Sequence, residues 1–322
     1  MALIHGKKIK LFALNSNVEL TKEISDFLGV EIASCNVSRF ADGEVNISIN
    51  ETVRGYTVFV VQSTNSPVND NYMELLVMID ALKRASAREI NVIMPYYGYS
   101  RQDRKEAPRQ PISAKLVADL LQVAGADRIM CFDLHAAQIQ GFFNIPIDNF
   151  VALPIFAEYF VDMKLEDVVV VSPDHGGTKR ARQLAEVLDS PIAIVDKRRP
   201  RPNSAEVMNL IGDVNGKNCV IIDDMVDTAG TLAIVVNCLK DHGAKKVYAC
   251  CSHGLLSGNA CDKLDATDLE ELVITNSVKQ PEERLKKYPW IKVLSIARLL
   301  AMGILNIVDD KPVSDLFRYN KK

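Results

Sequence analysis

Short apolar runs of strand length alternate with stretches whose apolar residues recur every three or four positions, from one end of the chain to the other. In the first half, residues 9–14, 45–49, 58–62, 90–95 and 128–133 predict strands. Between them the spacing predicts helices over 18–28, 71–85 and 113–123. Within 71–85 the positions Met73, Leu76, Val77, Ile79, Asp80 and Leu82 set the helical spacing, and Lys83 and Arg84 fall in the last turn. Gly125 stands where the following helix would need a C-cap. The second half repeats the rhythm. Strands are predicted at 168–172, 192–195, 219–223, 246–252, 272–275 and 292–295, and helices at 154–163, 178–188, 231–241 and 297–303.

Repeated strand–helix–strand units predict an α/β fold of parallel sheets covered on both faces. The chain has 322 residues, enough for two domains of roughly 150 each. The two sets of elements meet near residue 150, so the sequence divides into domains 1–150 and 151–322 of similar topology. In open parallel sheets ligands gather at the carboxyl ends of the strands, which makes the loops there the ones to read for chemistry.

Composition narrows the class of protein but not its chemistry. With 48% hydrophobic and 25% charged residues, long disorder, collagen and coiled coil are poor readings. The 38 Lys+Arg against 41 Asp+Glu give a formal charge of -3, too little positive charge for a protein that coats nucleic acid. No apolar run approaches the ~20 residues of a membrane span, and the first residues lack a secretory h-region. Seven cysteines form no C-x-x-C pair and sit mostly among apolar neighbours, as in Met130-Cys131-Phe132. They read as buried thiols of a cytoplasmic protein. No membrane and no nucleic-acid partner is expected.

The richest loop is Val220-Ile221-Ile222-Asp223-Asp224-Met225-Val226-Asp227-Thr228-Ala229-Gly230-Thr231. An apolar strand runs into two acids, a turn of small residues, and a helix expected near Thr231. Backbone N–H groups of Asp227, Thr228, Ala229, Gly230 and Thr231, with the two threonine hydroxyls, suit a phosphate at the positive helix end. Gly230 leaves room for close approach. Asp223 and Asp224 suit the vicinal hydroxyls of a sugar. A surface turn with solvated acids is the plainer alternative, and the rarity of the pattern weighs against it.

Four further segments carry candidate chemistry. In Arg39-Phe40-Ala41-Asp42-Gly43-Glu44 the aromatic suits a base and the acids suit an exocyclic amine, although alone it reads better as a hairpin turn. In the segment from Pro95 to Glu106, Arg101 and Gln102 suit triphosphate oxygens, with covering aromatics and solvated charges as the alternative. His135 follows Asp133 by two, so on an extended segment both point the same way. A satisfied structural histidine is the default there. In Pro173-Asp174-His175-Gly176-Gly177-Thr178 a second strand–acid–glycine–helix turn offers an anion nest beside a carboxylate, and a plain helix start is an equal alternative. Finally, the basic run from Asp196 to Ser204 reads first as a solvated loop. No Walker A, H-E-x-x-H, G-x-S-x-G or Rossmann fingerprint is present.

The 220–231 loop resembles the ribose 5-phosphate signature of the phosphoribosyltransferase fold. Taken with the other motifs, the chain resembles the ribose-phosphate pyrophosphokinases of the class I bacterial type over nearly its whole length. That resemblance implies two similar phosphoribosyltransferase-type domains, each a mostly parallel sheet flanked by helices. It implies transfer of the pyrophosphoryl group of ATP to the C1 hydroxyl of ribose 5-phosphate. ATP would be bound by Phe40, Asp42, Gly43, Glu44, Arg101 and Gln102. Ribose 5-phosphate would be bound by Asp223, Asp224 and the 227–231 loop, with Arg199. Mg2+ would sit near His135 and Asp174, with Asp133 orienting the imidazole and Asp148 a further nearby acid. Lys197 and Arg199 would be the catalytic pair. The family also implies a hexamer activated by phosphate and inhibited by ADP. Two departures are Leu14, where glycine is frequent, and Asn144, where an acid is common. A phosphoribosyltransferase and a non-catalytic regulatory paralogue are the rival readings.

Overall fold

Each strand and helix expected from the pattern forms, and in the expected order. The computed structural model describes residues 3–4, 6–198, 207–317 and 319. In the first part of the chain these are β1 (Leu3–Ile4), β2 (Lys7–Ala13), α1 (Val18–Leu28), β3 (Cys35–Arg39), β4 (Val45–Ile49), β5 (Thr57–Val61) and α2 (Val68–Arg84). They continue with β6 (Glu89–Met94), α3 (Ser113–Ala124), β7 (Arg128–Phe132) and β8 (Ile147–Phe150). Then follow α4 (Leu153–Met163), β9 (Val168–Ser172), α5 (Thr178–Leu188), β10 (Ile192–Arg198), β11 (Val207–Ile211), β12 (Asn218–Val226) and α6 (Gly230–Asp241). The last are β13 (Lys246–Gly254), α7 (Ala260–Asp265), β14 (Leu269–Thr275), α8 (Glu282–Lys287), β15 (Ile291–Leu294) and α9 (Ala297–Val308).

Two units result. The first holds a six-stranded sheet in the order β1-β2-β5-β6-β7-β8, parallel throughout except for β1. Its central strands are almost wholly buried, which is why they read as unbroken apolar runs and not as an alternation. The hairpin β3–β4 stands apart as a sheet of two strands. Its polar residues Asn36, Ser38 and Arg39 hide β3 from a search for apolar runs. The second unit holds a seven-stranded sheet in the order β11-β10-β9-β12-β13-β14-β15, parallel except for the β10–β11 pair.

The first unit runs to Val151 and also takes in Ser277–Lys279 and Ser295–Phe317. Assigning all of 151–322 to a second domain therefore misplaces α9. This helix packs with α1, and at Gly303 it lies so close to β8 that an added Cβ would stand 2.5 Å from Phe150 Cζ. An apolar helix at the end of a chain does not announce which core it joins. No helix among the described residues is long and apolar enough to cross a membrane. None of the seven cysteines is in a disulfide, six are buried, and burial pushes the Cys219 thiol up to about 11.

Candidate active site

In the first unit the sequence-predicted residues sit on three turns. The first closes the β3–β4 hairpin. Phe40 N–H donates to the Glu44 carbonyl at 2.8 Å and Gly43 N–H to the Phe40 carbonyl at 2.9 Å. Gly43 has φ +97, a conformation that favours glycine. Asp42 Oδ1 accepts from Glu44 N–H at 3.1 Å, so this acid stabilises its own turn, as the plainer reading requires. The Phe40 ring is 55% exposed, an unusual place to leave an aromatic.

The second turn follows β6. Tyr96 and Tyr97 are buried and cover the sheet end, so those aromatics have a packing role. Tyr97 Oη donates to the Ala114 carbonyl at 2.9 Å and Tyr72 Oη to the Gly98 carbonyl at 2.8 Å. Burial pushes both phenols well above their ordinary value. Arg101 and Gln102 beyond them are exposed. Gly98 is the pivot: its N–H donates to Thr64 Oγ1 at 2.8 Å, and an added Cβ would lie 2.5 Å from the Thr64 carbonyl oxygen. Gly98→Ala is therefore expected to destabilise the protein by about 1–3 kcal/mol, because backbone must move to admit the methyl. Urea denaturation checks this, and a loss below about 0.5 kcal/mol would contradict the close approach.

The third turn follows β7. Asp133 has φ +34 and its N–H donates to the Phe150 carbonyl at 2.8 Å. The premise of an extended 133–135 segment is thus wrong, because the chain turns sharply as it leaves the sheet. His135 is exposed and Asp133 half-buried. Asp148 is paired with Arg128 at 2.7 Å, with only 12% of its side chain exposed.

In the second unit two turns repeat one design. After β9, Asp174 Oδ1 accepts from Gly177 N–H at 2.9 Å and Ser172 Oγ donates to the Asp174 carbonyl at 2.6 Å. His175 Nε2 lies 2.9 Å from Asp196 Oδ1. After β12, Ser257 N–H donates to the Asp227 carbonyl at 2.9 Å and Lys263 Nζ to the Thr228 carbonyl at 3.1 Å. Ala229 takes the left-handed conformation, φ +59, and the helix opens at Gly230, one residue before the expected start. An added Cβ on Gly230 meets nothing within 4 Å, so the turn faces open space that a bound anion can enter. Thr228 and Thr231 are exposed at its rim.

The two acids lie inside β12 and not beyond it, because pairing with β13 continues to Val226 opposite Gly254. Asp224 N–H donates to Asp223 Oδ1 at 2.8 Å, and Arg180 Nη1 on α5 stands 3.6 Å from a carboxylate oxygen of each acid. Burial, then the neighbouring Asp224 charge, holds the Asp223 carboxyl well above its ordinary value, with Arg180 acting against them. Sequence reasoning missed this role of Arg180. Its only signal was a cation on the first turn of the helix after a strand. Lys197 lies in β10 opposite Met208, so the strand runs past the predicted end at 195 into a hairpin. Its side chain, and Arg199 entirely, lie outside the described residues.

Residues 9–125 match the N-terminal domain of ribose phosphate pyrophosphokinase, and 197–318 match the phosphoribosyl synthetase-associated domain. The chain is 58% identical to a ribose-phosphate pyrophosphokinase of Bacillus caldolyticus, over 96% of this chain and 98% of the relative. The chain belongs to the ribose-phosphate pyrophosphokinase family. A relative of that name in Bacillus subtilis is 56% identical over 97% of the chain and 98% of its own length. The solved phosphoribosylpyrophosphate synthetase of Mycobacterium smegmatis superimposes with a TM-score of 0.90 at 42% identity, covering 94% of this chain and all of that one.

The family generally needs a divalent metal. Among the described residues no three His, Cys, Asp or Glu side chains cluster to hold one by themselves. Asp133 in the first unit, and Asp174, Asp223 and Asp224 in the second, are nonetheless hard oxygen donors. Within either unit they fit an ion that takes one or two carboxylates and fills its remaining positions with water and phosphate oxygens.

Proposed function

We propose that this chain transfers the β,γ-pyrophosphoryl group of ATP to the C1 hydroxyl of ribose 5-phosphate, giving phosphoribosyl pyrophosphate and AMP. The observation that carries the proposal is likeness over almost the full chain to relatives named for this reaction. The 227–231 turn holds the 5-phosphate on backbone N–H groups at the start of α6, and Asp223 and Asp224 accept from the sugar hydroxyls. Phe40 stacks on adenine while Asp42, Gly43 and Glu44 frame its edge. Arg101 and Gln102 hold triphosphate oxygens. The turn with Asp174, Gly176 and Gly177 receives the pyrophosphoryl oxygens on backbone N–H groups.

Mg2+ is the ion proposed, with Asp174 in the second unit and His135 in the first, through water and with Asp133 beside the imidazole, as the residues that would hold it; bound, it would neutralise phosphate charge and polarise the attacking hydroxyl. Lys197 and Arg199 stabilise charge that develops on the transferring group and on the leaving nucleotide, and Arg199 also reaches the sugar phosphate. No covalent intermediate is required, so the work of the protein is to place the hydroxyl in line with the β-phosphorus. The reduced thiols support a cytoplasmic setting, and the family supports a homo-oligomer, proposed as a hexamer.

Incubating the purified chain with ATP, ribose 5-phosphate and Mg2+ is expected to release AMP and phosphoribosyl pyrophosphate in equal amounts, followed by chromatography. A phosphoribosyltransferase would release pyrophosphate from phosphoribosyl pyrophosphate and a base, and leave ATP intact. A non-catalytic paralogue would leave every substrate unchanged. Either outcome rejects the proposal.

A further inference from the structure

We propose that Glu74 is a positioning residue for the nucleotide-side turn at 40–44, acting through Arg39. The inference rests on the reading of Phe40 as the ring that stacks on adenine. The inward face of α2 presents Asn71, Tyr72, Leu75, Met78, Ile79 and Leu82 to the core, and Glu74 falls among these buried positions at 3% exposure. A carboxylate in such a place has to be satisfied by hydrogen bonds or charge.

Its partners come from three separate parts of the first unit. Asn15 Nδ2 donates to Glu74 Oε1 at 3.0 Å, Gln62 Nε2 donates to Oε2 at 3.0 Å, and Arg39 Nη2 donates to Oε1 at 3.1 Å. Gln62 is itself fixed, its Nε2 reaching the Asn71 carbonyl at 3.2 Å and its Oε1 accepting from Ser16 N–H at 3.1 Å. Two partners are neutral amides. Arg39 is the one cation that meets this carboxylate among the described residues, and its approach to Asp70 is longer, at 3.8 Å.

Arg39 is the last residue of β3, and Phe40 is the next residue along the chain. The β3–β4 hairpin shares no strand pairing with the six-stranded sheet, so its attitude is set by what packs beneath it. Partly buried Cys35, Val37, Ile47 and Ile49 anchor it to the core, and the Arg39–Glu74 pair anchors the end that carries the turn. Fixing Arg39 on α2 fixes the direction in which the exposed Phe40 ring leaves the strand. A ring held in place before the base arrives spares the ordering cost that a loose loop would pay at binding. Periodicity does not mark this acid: the apolar spacing is set on Met73, which is 50% exposed, whereas the buried face of α2 includes Glu74.

The test is a double-mutant cycle read by calorimetry, with ATP as one ligand and inorganic tripolyphosphate, which lacks a base, as the other. Phe40→Ala is expected to weaken ATP binding about tenfold, in line with the worth of one base–aromatic stack. Arg39→Ala and Glu74→Gln are each expected to weaken ATP by roughly three- to tenfold, and Phe40→Ala combined with either should cost little beyond Phe40→Ala alone. Tripolyphosphate binding should stay within about twofold throughout. Arg39 is 35% exposed and glutamine nearly matches glutamate in shape, so both variants should fold. Additive losses, or equal losses for tripolyphosphate, would overturn the proposal by making Arg39 a direct ligand contact. Silent Glu74→Gln and Arg39→Ala beside a damaging Phe40→Ala would overturn the role of Glu74 alone. A silent Phe40→Ala would remove the stacking reading itself, and the proposal with it.

Discussion

Asp223→Asn is expected to raise the melting temperature of the free protein at pH 7–8 while lowering kcat/KM for ribose 5-phosphate about a hundredfold. The Asp223 carboxyl is held well above its ordinary value of 3.8, first by burial and next by the charge of Asp224. Below that ordinary value the group is protonated in both the folded and the unfolded chain and contributes no penalty. As pH rises from 3.8, the unfolded chain loses the proton first while the folded chain retains it. Stability therefore falls until the raised folded value is passed, and the penalty is constant above it. Asparagine carries no charge to bury, and its Oδ1 can still accept the 2.8 Å bond from Asp224 N–H. Arg180, 3.6 Å from both acids, is then left to Asp224 alone.

The activity is expected to move in the opposite direction. A carboxylate accepts two strong hydrogen bonds from vicinal hydroxyls, whereas an amide offers one acceptor and turns a donor towards the second. Thermal melts in chelator from pH 4 to 8, with steady-state kinetics alongside, separate the two effects. The gain in melting temperature should shrink towards nothing at pH 4. A variant that melts lower than the parent at pH 8, or a gain independent of pH, would show that the Asp223 charge costs the fold nothing.

The same pair of acids shows which parts of this molecule the sequence could convey. The run 220–222 and the small-residue turn after it located the loop, since strand burial and helix starts are local properties of a few residues. That β12 extends through both acids depends on β13 pairing as far as Gly254, and no local feature reports a neighbour's length. Arg180, Glu74 and the His175–Asp196 contact are non-local for the same reason. Each is a polar side chain whose partners lie 12 or more residues away along the chain. Asp148 is placed by a non-local pairing too: it meets Arg128 on the adjacent strand, and only the register of β7 with β8 discloses it. The extended geometry assumed for 133–135 fails at the backbone, because the positive φ of Asp133 breaks the alternation that sequence spacing assumes.

Lys197→Ala is expected to lower kcat by about 10²–10⁴ while the Kd for ribose 5-phosphate stays within roughly threefold. Lys197 is the penultimate residue of β10, opposite Met208 in the β10–β11 hairpin. The strand starts in the sheet beside β9, with Ile194 opposite Ser172, so the backbone at 197 projects from a rigid base. One residue earlier, Asp196 meets His175 at 2.9 Å, which ties the base of the hairpin to the turn containing Asp174 and Gly177. On the proposed assignment a lysine placed there would act on charge that grows as the pyrophosphoryl group leaves AMP, and a sugar phosphate held at the 227–231 turn would not need it. That division predicts a loss in kcat with substrate affinity preserved, the pattern of an interaction made only in the transition state. Lys197→Arg should restore part of the rate, since it returns the charge but with a different hydrogen-bonding geometry. Single-turnover measurement of AMP release with saturating ATP isolates the step. Turnover within about tenfold of the parent in Lys197→Ala would take this lysine out of the chemistry, and an equal loss in ribose 5-phosphate affinity would make it a binding residue instead.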